Sequence, residues 1–102
     1  MLNDENKMLC GKVLKKYGFA HQLLKTGEEC TELSQVIFRI TQGETNLEKI
    51  CNLFEEFVDV YVMEEQLLQY FVEYIGMDVG AFNASAKIKL LKALEGDKNE
   101  VN

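Results

Sequence analysis

Two short runs of this sequence carry acids at a spacing that can hold metal ions: Glu28-Glu29-Cys30-Thr31-Glu32-Leu33 and Glu55-Glu56-Phe57-Val58-Asp59-Val60. Both read acid-acid-x-x-acid-apolar, and the second repeats the first at an offset of 27 residues, Glu29 to Glu56 and Glu32 to Asp59. On a helix, residues three apart lie on one side. Glu29 with Glu32, and Glu56 with Asp59, therefore each form a carboxylate pair. At about 100° per residue, each pair sits beside the apolar stripe of its helix. Two such helices packed antiparallel through those stripes would turn both pairs toward one pocket. Four carboxylates there repel one another unless cations neutralise them, and hard oxygen donors suit Mg2+, with Mn2+ as the substitute.

The ordinary role of an acidic run is a solvated helix face, supported by Lys or Arg four residues on. That spacing is mostly missing here. Glu28, Glu29, Glu55, Glu56 and Asp59 are followed at four residues by Glu32, Leu33, Asp59, Val60 and Met63. Of the 17 acids, ten fall between Glu28 and Glu65, so the acidity is concentrated where the repeat lies.

Composition narrows the chemistry further. Seventeen acids against 11 bases give a formal charge of −6. Such a chain lacks the clustered Lys and Arg that displace counterions from nucleic acid, and it offers nothing to an anionic membrane. The single histidine, His21, excludes the paired Glu-x-x-His of di-iron bundles and the His-x-x-x-His of zinc hydrolases. It reads as a packing or helix-start residue. Cys10, Cys30 and Cys51 are odd in number and widely spaced. They form neither a zinc site nor a disulfide framework, so each is expected to be a small buried apolar residue in a reducing, cytoplasmic protein. The polar, acidic start Met1-Leu2-Asn3-Asp4-Glu5 is unlike a signal peptide. The longest apolar run, Phe57 to Met63, is interrupted by Asp59 and is too short to span a membrane.

The elements that must position the acids are helices. There is no proline, no segment alternates as a strand does, and glycines punctuate the chain. Helices are expected at about 4–17, 20–42, 46–75 and 80–95, with breaks at Gly18, at Gly43 and between Gly76 and Gly80. Together they make a four-helix, all-α domain over residues 1–95, followed by a polar tail at 96–102. The second helix carries Leu23, Cys30, Leu33, Ile37 and Ile40 at helical spacing, and Thr45-Asn46 supplies an N-cap for the third. A third helix of that extent would run ~45 Å, against a radius of gyration of ~13 Å for a globule of this size. Either it breaks near its end or it runs along a second subunit. Its apolar residues, among them Ile50, Phe54, Phe57, Tyr61, Leu68 and Phe71, cover more than one face. A homodimer or a dimer of dimers is therefore expected, with a compact monomer and a kinked third helix as the alternative. Tyr61, Tyr70, Phe71 and Tyr74 read as core or interface residues.

The arrangement Glu29-x-x-Glu32, 23 residues, then Glu56-x-x-Asp59 resembles the signature of the MazG-like all-α nucleoside triphosphate pyrophosphohydrolases. The similarity covers roughly residues 20–75. It implies a four-helix MazG-like bundle, completed by dimerisation. It also implies Mg2+-dependent cleavage of a nucleoside triphosphate between the α and β phosphates, giving a monophosphate and pyrophosphate. On that resemblance Glu29, Glu32, Glu56 and Asp59 hold the metal, and Glu28 or Glu55 orients the attacking water as general base. Lys25, Lys87 and Lys89 supply positive charge for the phosphates, with Lys92 beside them on the last helix. Arg39 is the only arginine, so bidentate guanidinium contacts are scarce. The run Lys25-x-Gly27-Glu28-Glu29 is also similar to phosphoribosyl-ATP pyrophosphohydrolase, although Val60-Tyr61-Val62-Met63 lacks the histidine expected after Asp59. The reading from another class is a non-catalytic helical dimerisation or binding module.

Overall fold

Short polar residues and glycines place the helix ends. In the computed structural model, which describes residues 1–43 and 45–96, the order is α1 (Asp4–Tyr17), α2 (Phe19–Thr41), α3 (Leu47–Tyr70), a π-helical turn at Phe71–Ile75, and α4 (Val79–Glu95). No strand occurs among the described residues, so the chain is all-α as expected. Asn3 caps α1 by accepting a hydrogen bond from the Asn6 amide at 2.8 Å. Asn46 caps α3, accepting from the Lys49 amide at 2.9 Å. Gly18 serves two helices at once. Its N–H donates to the Leu14 carbonyl at 2.8 Å, closing α1, and its carbonyl accepts from the Gln22 amide at 3.1 Å, opening α2. Its φ of 84° is available to glycine at little cost and to a residue with a Cβ only under strain.

The chain divides into two units, Met1–Tyr70 and Phe71–Asn102. In the first, α2 and α3 share the most extensive interface. They run antiparallel, because Phe19 stacks on Tyr70 with ring centroids 3.6 Å apart and Gln22 meets Gln66, whereas Glu29 and Glu32 meet Glu56. α1 crosses the C-terminal half of α3, where the Gln69 side-chain amide donates to the Lys7 carbonyl at 2.8 Å. The Cys10 thiol lies there too, 3.8 Å from the Val62 carbonyl, and burial, with Glu65 nearby, raises its pKa.

The buried apolar set is small: Cys10, Leu14, Val36, Val60 and Met63. The seam between α2 and α3 departs from the apolar stripe expected for it. Gln22, Thr26 and Glu29 are the buried residues of the N-terminal half of α2, whereas Leu23, Cys30 and Ile37 are exposed. Residues 22, 26 and 29 follow the i, i+4, i+7 rule as well as the apolar set does, so periodicity alone admits both faces. The partners across the seam decide between them, since Gln66 and Glu56 give the polar face its contacts. Only Cys10 of the three cysteines is buried; Cys30 and Cys51 lie on exposed positions, against the expectation from residue type.

In the second unit the helical run of the expected third helix continues as a π-helical turn at Phe71–Ile75, so its winding changes near its end. The Met77 amide donates to the Phe71 carbonyl at 2.9 Å, and Asp78 caps α4 by accepting from the Gly80 amide at 3.0 Å. No residue of α4 is buried, and Phe71 and Tyr74 are exposed. Residues 97–102 of the expected polar tail lie outside the described residues. No helix is long and apolar enough to cross a membrane among the described residues.

Candidate metal centre

Antiparallel packing of α2 against α3 brings three of the four expected ligands together. Glu29, Glu32 and Glu56 each offer a carboxylate oxygen, and these oxygens all lie within 4.8 Å of one another. Glu29 and Glu32 share one side of α2 because they are three residues apart, and Glu56 approaches from the first half of α3.

Burial makes this cluster unlike a solvated acidic face. Glu29 is only 8% exposed and Glu56 is half-buried. One oxygen of Glu29 takes an ion pair from Lys25 at 3.2 Å. The other, Oε2, is buried with no hydrogen-bond partner among the described residues, and so is Oε2 of Glu56. A buried carboxylate oxygen without a partner costs free energy in proportion to its charge. The Glu56 pKa is raised, first by desolvation and then by the carboxylates of Glu32, Asp59 and Glu29, with a hydrogen bond to Glu32. The Lys25 pKa is raised too, for a different reason. Its hydrogen bond and charge interaction with Glu29 raise its pKa, so the ammonium is held on.

These features fit a hard divalent cation. The donor set is all carboxylate, two of its oxygens lack partners, and the nearest positive charge is a lysine whose ammonium can neutralise one acid and not three.

The remaining expected residues are placed as follows. Asp59 is exposed and acts on Glu56 through its charge, outside the set of three oxygens. Glu28 is exposed and lines a groove of about 510 Å³ that it shares with Lys25. Glu55 is exposed and lies in neither the carboxylate group nor this groove. Lys87 and Lys89 are exposed on α4, in the second unit. Comparison with known proteins adds nothing to this geometry. No family model, curated protein or solved structure matches the chain.

Sequence reasoning passed over Gln22, Thr26 and Gln66, which continue the seam beyond the acids. Gln22 donates to Gln66 at 2.8 Å, and Thr26 donates to the Gln22 carbonyl at 2.7 Å. Their signal was present. Residues 22, 26 and 29 form one helical stripe, and 56, 60, 63 and 66 form the facing one.

Proposed function

We propose that this chain is an Mg2+-dependent nucleoside triphosphate pyrophosphohydrolase of the MazG-like kind, acting in nucleotide-pool control or housecleaning. The observation that carries the reading is the set of two buried, unpartnered carboxylate oxygens, on Glu29 and Glu56, within a three-carboxylate cluster. The overall reaction adds water across the α–β phosphoanhydride, releasing a nucleoside monophosphate and pyrophosphate.

The substrate is a polyanion and the protein carries −6, so binding needs bridging cations. Glu29, Glu32 and Glu56 would hold Mg2+, with Asp59 joining from the next turn of α3; Mn2+ suits the same donors. Mg2+ held by these carboxylates would supply charge neutralisation for the phosphate oxygens and acidify a water for hydrolysis. Lys25, paired with Glu29, sets an ammonium beside the phosphates. Glu28, one residue before Glu29 and in the same groove as Lys25, takes the proton from the attacking water. Glu55 is the weaker choice for that role.

A second copy of the chain belongs to this proposal. Leu24, Phe38 and Phe54 expose more than 60% of their surface in the first unit, and Leu90 and Leu94 do so on α4. Such surface is usually covered by a partner, and a homodimer or a dimer of dimers supplies one; light scattering in solution checks it. The three free thiols accord with a reducing, cytoplasmic setting.

The deciding experiment is pyrophosphate release from a panel of canonical and modified nucleoside triphosphates with Mg2+. Glu56→Gln is expected to abolish it. Unchanged release would remove the metal assignment and favour a non-catalytic helical module.

A further inference from the structure

Lys25 reaches the carboxylate cluster from outside it. Its ammonium lies 3.2 Å from Glu29 Oε1, four residues on along α2, and the charges of Glu28 and Glu32 act on it as well. Lysine before glutamate is the weaker order for such a pair, so the helix alone gives little reason for it. The two side chains are also held unequally, that of Glu29 being 10% exposed and that of Lys25 49%. Glu29 is fixed in the seam, where its neighbours are Glu32 and Glu56. The lysine arrives on a flexible four-carbon stem that lines the same groove as Glu28. Its ammonium can therefore leave Glu29 without any repacking of the seam.

The pair answers only part of the charge gathered there. One ammonium faces three acids, and Oε2 of Glu29 and Oε2 of Glu56 stay buried without a partner among the described residues. A divalent cation held by the same three carboxylates would draw on the acid that Lys25 pairs with. Like charges a few ångströms apart repel, so the ammonium and the cation cannot both keep Glu29 at full strength. With Glu29 taken, the ammonium is left over in the groove, where the proposed reaction needs positive charge for phosphate.

We propose that Lys25 is the built-in counter-ion of this cluster: it neutralises Glu29 when no metal is bound, and turns to the phosphate chain of the substrate when metal is bound. This rests on the pyrophosphohydrolase reading and adds to it a linkage between the two ligands. Metal and phosphate are coupled through one side chain, because the ammonium is free for phosphate only once Glu29 has another cation.

Calorimetry reads Mg2+ affinity directly, with no turnover involved. Lys25→Met keeps most of the stem and removes the charge, and it is expected to bind Mg2+ about tenfold more tightly than the parent. At saturating Mg2+ the same variant is expected to bind inorganic tripolyphosphate about tenfold more weakly, the loss of one charged hydrogen bond. The opposite signs are the signature, since a lysine that served phosphate alone would leave Mg2+ affinity unmoved. Lys25→Arg keeps the charge and should not gain Mg2+ affinity. Lys7→Met is the control and should move neither affinity, because the Lys7 carbonyl meets Gln69, ~20 Å along α3 from Glu56. Melting curves verify that each variant folds. Mg2+ affinity that is unchanged or reduced in Lys25→Met overturns the proposal, a reduction making Lys25 a support for Glu29 instead. A gain in Mg2+ affinity with unchanged tripolyphosphate binding overturns the transfer to phosphate. If the parent protein binds no Mg2+, or binds no tripolyphosphate with it, the pyrophosphohydrolase reading itself falls, and this proposal with it.

Discussion

Buried polar groups occur at two levels of the same α2–α3 seam, and they are treated in opposite ways. At the Gln22–Gln66 level each side-chain oxygen has a donor, and the network ends on the Val62 backbone carbonyl. About two turns along, Glu29 and Glu56 each keep a buried oxygen with no partner among the described residues. A satisfied buried network makes the packing specific. An unsatisfied one is a standing cost that calls for an explanation, and the proposed cation would remove it. The amides serve the packing, and the acids are the proposed site.

The largest expected effect breaks the acid level. Glu56→Gln should reduce Mg2+-dependent pyrophosphate release by more than about 100-fold, since even residues that merely support metal ligands cost 10- to 100-fold when removed. The same cluster should make stability depend on Mg2+. A ligand present at a hundredfold excess over its Kd adds about 2.7 kcal/mol when it binds only the native state. Thermal melting should show a rise with Mg2+ in the parent protein and a much smaller one in Glu56→Gln. At the amide level the response should be purely structural. Gln66→Leu strands the Gln22 amide and should cost about 1–3 kcal/mol, read by denaturant or thermal unfolding, with or without Mg2+.

The smallest effect concerns pH without metal. Because the Glu56 pKa is raised in the folded state, the native protein binds more protons than the unfolded chain in the window above the ordinary carboxylate value of 4.5. Stability then falls as pH rises through the Glu56 pKa, and the contribution is present in full below the unfolded value. Melting temperatures of the metal-free protein should accordingly include a loss across that window that Glu56→Gln lacks. A pH profile identical in the two proteins would contradict the proposed strain at Glu56.

Much of the candidate site could be read in the sequence because it obeys local rules. The i, i+3 acids and the absence of lysine at i+4 are statements about one helix at a time, and Glu29, Glu32 and Glu56 do converge. The position of Asp59 outside the oxygen set depends on how α3 is rotated against α2, which no single-helix rule supplies. The same limit explains the seam. Leu23, Cys30 and Ile37 form a good apolar stripe, yet Gln22, Thr26 and Glu29 are buried instead. Hydrophobic periodicity finds a face that can be covered; it does not find the element that covers it.

The sequence by itself determined the four helices, the cap at Asn46, the break at Gly18 and the pairing of acids along each helix. Those follow from backbone geometry and hydrogen-bonding capacity within a few residues. Only the tertiary structure decided which acids lose their water and which amides are paired. Desolvation and partner choice depend on atoms brought in from residues more than 25 positions away, such as Glu56 to Glu29 and Gln66 to Gln22, and those distances exist only once α2 lies against α3.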